Sequence, residues 1–120
     1  MSGAPWPVEL RYNRAERTLT VMFEGGTAFA LPAEYLRIDS PSAEVQGHGA
    51  ATKTLVAGKK NVGIERIEPV GRYAVRLIFD DGHDTGLYSW DYLAQLGRER
   101  TKRWFEYEQK LKAAGLSRES

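Results

Sequence analysis

The residues able to do chemistry are few, and they fall into two short stretches. The first is Phe79-Asp80-Asp81-Gly82-His83-Asp84-Thr85-Gly86, where three carboxylates and one imidazole crowd around a glycine. Two imidazoles and a carboxylate can hold ferrous iron or zinc. One reading is therefore a metal site made of His83 with Asp80, Asp81 or Asp84 and completed by His48, the only other histidine. The competing reading is a solvated turn whose Asp side chains bond their own backbone. The second stretch is Ser40-Pro41-Ser42-Ala43-Glu44-Val45-Gln46-Gly47-His48-Gly49. Helix-start rules make Ser40 a cap, Pro41 the first helical residue and Glu44 a favourable charge near the positive end. On the functional reading, Gly47 and Gly49 let backbone approach a ligand that His48 binds.

Other chemistry is excluded by inspection. With no cysteine, the chain has no disulfide, no thiolate nucleophile and no Cys-ligated zinc or iron–sulfur cluster of its own. Gly58-Lys59-Lys60 is not a phosphate loop, because the residue after the lysine is neither Ser nor Thr and the first glycine is missing. Ser40 or Ser42 against His48 is a conceivable nucleophile–base pair, but no Gly-x-Ser-x-Gly elbow presents a hydroxyl. Neither histidine is followed two residues on by an acid, as the iron-binding triad of oxygenases requires.

The elements that position these residues can be read from periodicity. Residues 8–12 form a short strand, and residues 18–23 alternate polar with apolar as a half-buried strand does. Glu24-Gly25-Gly26 turns the chain into a partner strand over 27–31, and Pro32 opens a helical turn or two over 32–37. The second half follows the same plan. Residues 73–79 alternate, Asp81-Gly82 is a hairpin turn, 83–88 is the returning strand, and Ser89 caps a helix that Gly97 stops. Phe23-x-Gly-Gly aligns with Phe79-x-Asp-Gly, and the pair Tyr35-Leu36 with Tyr92-Leu93. This is a degenerate duplication of a hairpin-plus-helix unit. Between the halves, 62–68 is a strand that Pro69-Val70-Gly71 turns back. A final helix over 98–114 carries a stripe of Trp104, Tyr107 or Glu108, and Leu111 at helical spacing, with Phe105 beside it. Glu99–Arg103, Glu106–Lys110 and Glu108–Lys112 support it at i,i+4, each by only about 0.2–0.5 kcal/mol, so the stripe must dock.

The fold class is therefore α+β, a small β-rich domain of antiparallel hairpins in two pseudo-repeated units with a C-terminal amphipathic helix. Residues 1–7 are expected to be a flexible tail, 8–97 the domain, 98–115 the helix and 116–120 a frayed end. The 120 residues are 42% hydrophobic and 28% charged, enough for one core and too few for a large catalytic barrel. The net charge of +1 does not indicate a nucleic-acid binder. From Gly97 onward there are seven Lys/Arg against four Asp/Glu, which suits either an acidic partner or a solvated helix face. No basic n-region precedes an apolar run and no stretch approaches the ~18 apolar residues of a membrane span, so the expected location is the cytoplasm.

Three ordered blocks carry a family resemblance: Leu36-Arg37-x-x-Ser40-Pro41-Ser42-Ala43-Glu44-x-Gln46-Gly47-His48-Gly49, then Ile67-Glu68-Pro69-Val70-Gly71-x-Tyr73-Ala74, then Phe79-Asp80-Asp81-Gly82-His83-x-x-Gly86-x-Tyr88-x-Trp90-x-Tyr92-Leu93. Together they resemble the gamma-butyrobetaine hydroxylase-like N-terminal domain family, a domain of unknown function, over about residues 5–97. The resemblance implies a stand-alone bacterial-type domain. Relatives form the front domain of 2-oxoglutarate-dependent hydroxylases or are attached to Mrp-type iron–sulfur carrier ATPases. In the hydroxylases the domain is a zinc module, and its ligands fall by position on Ser40, Ser42, Val45 and His83. Three of those four are here hydroxyls or hydrocarbon, which cannot replace thiolates. The hydroxylase catalytic domain has no counterpart in the chain.

The expected function is a non-enzymatic accessory or interaction domain linked to iron–sulfur or iron-enzyme biology. Its partner would be a protein such as an iron–sulfur carrier ATPase, and its interaction surface would include Arg37, Ser40, Ser42, Glu44, Gly47 and Trp90. The alternatives are a zinc or iron binder using His83, His48, Asp81 and Asp84, and an accessory component of a 2-oxoglutarate-dependent oxygenase pathway. No catalytic residue is assigned, and membrane and nucleic acid are not expected partners.

Overall fold

A computed structural model describes residues 6–46 and 54–119, with the backbone alone at Ala43 and Glu44. The chain runs β1 (Pro7–Asn13), β2 (Thr18–Phe23), β3 (Ala28–Pro32), α1 (Ala33–Ile38), a single turn α2 (Ala43–Gln46), β4 (Ile64–Val70), β5 (Ala74–Phe79), β6 (Leu87–Ser89), α3 (Trp90–Arg98) and α4 (Arg100–Ala114). It forms two three-stranded antiparallel sheets, ordered β1-β2-β3 and β4-β5-β6, each followed directly by a helix. The α+β architecture and the repeated unit are as the sequence predicts. No helix among the described residues is long and apolar enough to cross a membrane.

The duplication extends to individual hydrogen bonds. Phe23 N donates to Thr27 O and Gly26 N to Phe23 O; in the second unit Phe79 N donates to His83 O and Gly82 N to Phe79 O. Gly26 and Gly82 both sit at φ 92°, which only glycine adopts without strain. Each first strand carries a bulge one residue after its partner Phe, between Pro7 and Glu9 and between Ile64 and Arg66. The inward faces of the two central strands, Leu19, Val21 and Phe23 and then Val75, Leu77 and Phe79, bury in one core with Leu31, Leu36, Tyr88 and Leu93.

The helices α1 and α3 are joined reciprocally. Tyr35 Oη donates to Leu96 O at 2.6 Å, and Tyr92 Oη donates to Asp39 O at 2.5 Å. Burial, and then the Asp39 carboxylate, push the Tyr92 phenol up to about 12, and Tyr35 goes higher still for the same reasons. Both stay protonated donors at any ordinary pH.

Several boundaries differ from the sequence reading. Gly97 does not stop α3; it lies within it, because a Cβ there would come 2.2 Å from Cγ of Phe29 on β3. The returning strand begins only at Leu87: His83 turns inward, Asp84 and Thr85 face outward, and regular pairing starts after Gly86. Pro69 and Val70 belong to β4, and the turn follows at Gly71. Ser40 does not begin a helix: α2 starts at Ala43, and it is Ser42 O that accepts from Val45 N and Gln46 N. Ser89 does cap α3, accepting from Tyr92 N at 3.0 Å. Neither terminal stretch is loose where it is described. Trp6 O accepts from Glu24 N and Pro7 opens β1, while Ser117 O and Arg118 O accept from Gly58 N and Lys60 N.

Candidate functional site

After α1 the chain bends through Ser40-Pro41-Ser42, and from the opposite unit the Asp80–Gly82 turn delivers His83 to the same place. The turn holds its shape because His83 N donates to Asp81 Oδ1 at 3.1 Å, an Asx-type local bond. His83 Nε2 lies 2.9 Å from Ser40 Oγ and 3.4 Å from Ser42 Oγ, the direction of each bond being set by the ring tautomer. Ser42 N donates to Ser40 Oγ at 3.3 Å, and the Gln46 amide donates to Ser40 O at 2.7 Å. All three convergent side chains are buried, Ser40 completely. Gly86 closes the centre from below, since a Cβ there would stand 2.6 Å from Ser40 Oγ. Tyr88, whose hydroxyl donates to Leu36 O, is pushed well above the ordinary phenol range by burial.

A charged layer covers this centre. Asp81 Oδ2 receives Lys59 Nζ at 2.6 Å and Arg37 Nε at 2.9 Å. Partial burial alone would raise the Asp81 carboxyl. Hydrogen bonds from Lys59, the His83 backbone and Arg37 outweigh it and hold the pKa down at about 2. Among the described residues, Arg37 Nη1 is a buried side-chain nitrogen with no hydrogen-bond partner.

The arrangement has the Ser–His distance of a nucleophile–base pair. Its hydroxyl, however, is enclosed and shared with a backbone amide, and Asp81 meets His83 through the backbone N–H. What the geometry provides directly is a polar clasp that ties α1 to the second hairpin. It does not fit the zinc that the resemblance implies. Ser40, Ser42 and His83 do meet, but two of these donors are neutral hydroxyls already in hydrogen bonds, and Val45 offers only buried hydrocarbon. Among the described residues, no three of His, Asp or Glu are grouped as a metal would require.

Of the residues singled out from sequence, Arg37, Ser40, Ser42, Asp81 and His83 are brought together. Asp84 is exposed at the turn, and Asp81 is committed to two cations. Ser40 and Ser42 lie inside the molecule and present no surface, and the Arg37 side chain is only 12% exposed. Trp90 is half-buried, its Nε1 donating to Arg72 O at 2.7 Å. Gly47, His48 and the Glu44 side chain lie outside the described residues, so the proposed His48–His83 pairing does too. Sequence reasoning missed Lys59, seen only as part of a failed phosphate loop, and gave Gly86 no role of its own beyond its place in the quoted motifs. Nothing local marks either, because their partners are Asp81 and Ser40 from distant segments.

The family described as gamma-butyrobetaine hydroxylase-like, N-terminal, matches residues 10–94. Two NMR solution structures resemble the chain throughout. One is 46% identical, with a TM-score of 0.85 over 98% of this chain and 92% of that one. The other is 49% identical, with a TM-score of 0.84 over 98% and 88%. A crystal structure from Acidithiobacillus ferrooxidans, of a DUF971 family protein of unknown function, is 36% identical, with a TM-score of 0.65 over 76% of this chain and 91% of that one. No curated protein matches.

Proposed function

The chain belongs to the gamma-butyrobetaine hydroxylase-like N-terminal domain family, and from that premise we propose that it is a non-catalytic accessory domain whose work is to bind a protein partner. One observation carries the reading. The place where chemistry-bearing side chains converge, Ser40, Ser42 and His83 beneath Arg37, Asp81 and Lys59, is buried and spends its hydrogen bonds on holding the two units together. A catalytic hydroxyl must instead face a space that substrate can enter.

The partner class follows from the family's company. The resemblance implies relatives attached to iron–sulfur carrier ATPases or preceding 2-oxoglutarate-dependent hydroxylases, and the partner proposed here is accordingly an iron–sulfur carrier ATPase. The matching surface is the cleft of about 260 Å³ between α1 and α4, where Lys102, Arg103 and Lys110 stand beside Leu55, Val56 and Tyr107. Asp39, Glu99 and Glu106 line the same cleft and Arg103 already pairs with Glu99 and Asp39, so it is Lys102 and Lys110 that are offered to an acidic group of the partner.

Calorimetric titration of this domain into a purified carrier ATPase tests the proposal. A saturable 1:1 complex is expected, weakened when Lys102→Glu and Lys110→Glu are combined. Absence of binding at about 100 μM, a concentration typical of weak transient contacts, overturns the choice of partner. Turnover of acyl esters that disappears in Ser40→Ala overturns the non-catalytic reading.

A further inference from the structure

Away from the polar clasp, the segment following α4 enters a pocket built for a guanidinium. Gly115 adopts the left-handed conformation and Leu116 N donates to Leu111 O, which turns the chain off the helix. Ser117 O and Arg118 O then accept from Gly58 N at 2.9 Å and Lys60 N at 3.0 Å, so the segment lies as a strap along residues 58–60, bent at Arg118. Lys60 Nζ and Glu119 Oε2 pair at 2.9 Å, and Glu119 N donates to Ser117 Oγ.

The strap delivers Arg118. Its Nε donates to Glu34 Oε2 at 2.9 Å and its Nη2 to Glu34 Oε1 at 2.8 Å, while its guanidinium carbon stands 5.1 Å from the Trp104 ring centroid. Trp104 is held edge-on against Tyr35, with ring centroids 6.4 Å apart. A planar cation gripped by both carboxylate oxygens and covered by an indole face is the geometry that distinguishes Arg from Lys.

The two halves of this contact are unequal. The Glu34 side chain is fixed on α1 and only 6% exposed, whereas that of Arg118 is 36% exposed on a short strap. The pocket opens into a cleft of about 610 Å³ that Arg118 lines but does not fill, and Phe105, 62% exposed, lies along it. Should the strap lift, Glu34 would be left a carboxylate without its fork partner beside an aromatic wall. Such a group selects strongly for a replacement cation.

We propose that the Glu34–Trp104 pocket is an arginine-recognition site for a short arginine-bearing segment of a partner protein, and that Arg118 occupies it in cis as a competitor. The partner's arginine enters between Glu34 and Trp104, and its flanking carbonyls replace those of the strap on Gly58 N and Lys60 N. This site is separate from the cleft at Lys102 and Lys110 and does not depend on an iron–sulfur partner.

The test uses the full chain and a peptide with the sequence of residues 115–119, Gly-Leu-Ser-Arg-Glu, followed by the NMR signal of the Trp104 indole N–H. Arg118→Ala is expected to bind the peptide saturably and the wild type at least about tenfold more weakly, because its pocket is filled most of the time. A peptide with alanine for arginine, and the double variant Glu34→Gln with Arg118→Ala, are expected to show no shift. Arg118→Lys keeps a charge but loses the fork, and is expected to bind better than wild type. Folded Arg118→Ala and Arg118→Lys proteins that ignore the peptide overturn the proposal, as does equal binding by wild type or by the Glu34→Gln variant. Concentration-dependent dimers of Arg118→Ala that the peptide cannot dissociate would make a second copy the occupant, and would overturn the choice of partner.

Discussion

Asp81 is the hub whose removal is easiest to quantify. Asp81→Asn keeps the turn, since Asn-Gly is as good a turn former as Asp-Gly and the amide oxygen can still accept from His83 N. With the oxygen kept for His83 N, the amide NH2 stands where Oδ2 was, so both the charge and the acceptor facing Arg37 and Lys59 are lost. The folded carboxyl sits at about 2 against an ordinary value of 3.8, so each unit of that gap is worth about 1.4 kcal/mol. With solvent screening at an open turn allowed for, roughly 1–2 kcal/mol remains. The sign is fixed by the depression. The stabilisation is complete above the unfolded value, is lost as pH falls through the window from about 4 to 2, and is absent below it. Urea melts of wild type and Asp81→Asn at several pH values between 7 and 2 read the difference directly, and other carboxylates cancel in it. The variant should be less stable by that amount at pH 7 and equal to wild type near pH 2. Equal stability at pH 7, or a difference that persists undiminished to pH 2, refutes the clasp.

Other perturbations separate the contacts that hold the units together. Tyr35→Phe and Tyr92→Phe each remove a donor from a carbonyl at the far helix, and each should cost about 1–2 kcal/mol in denaturant melts. Gly97→Ala improves helix propensity by about 1 kcal/mol, yet it should lower the melting temperature, because the new methyl meets the Phe29 ring; Phe29→Leu should restore part of the loss. Trp104→Ala should cost about 3 kcal/mol or more by thermal or chemical melting, since its ring packs on Tyr35 and Tyr107. Chelation should leave the melting curve unchanged, because the hydroxyls at Ser40 and Ser42 already have hydrogen-bond partners; a drop in melting temperature reversed by zinc would count against the misfit.

The elements fixed by local rules were legible. Period-two alternation marks residues 18–23 and 74–79, glycine marks the Phe23 and Phe79 turns, and Ser89 marks the start of α3. What escaped depends on partners far along the chain. Ser-Pro at 40–41 looks like a helix start, but Ser40 is recruited by a histidine 43 positions away, and no local pattern encodes that. Gly97 looks like a stop because glycine usually is one; its real constraint is a phenyl ring on another element. The strap at Ser117 and Arg118 is polar and reads as loose, yet a buried Glu34 on α1 gives it a reason to dock.

Matched by sequence and strand register, the two units part company at one contact. Tyr35 and Tyr92 correspond, as do Asp39 and Leu96, which is why their hydrogen bonds are reciprocal. One step further, Ser40 corresponds to Gly97. On the returning strands, where Leu31 matches Tyr88 by pairing, Phe29 corresponds to Gly86. The same pair of positions meets twice, each time between the two units, but with the bulk exchanged: in one contact the Phe29 ring fills the space over Gly97, and in the other Ser40 fills the space over Gly86. The apolar solution needs nothing more. The polar one leaves a buried hydroxyl that must be satisfied, and His83 satisfies it from the place where the first unit has Thr27. His83 is in turn set by Asp81, and Asp81 by Arg37 and Lys59. The polar clasp is thus the consequence of one small-for-large exchange in a duplicated contact, with each added side chain answering the unsatisfied group left by the one before it.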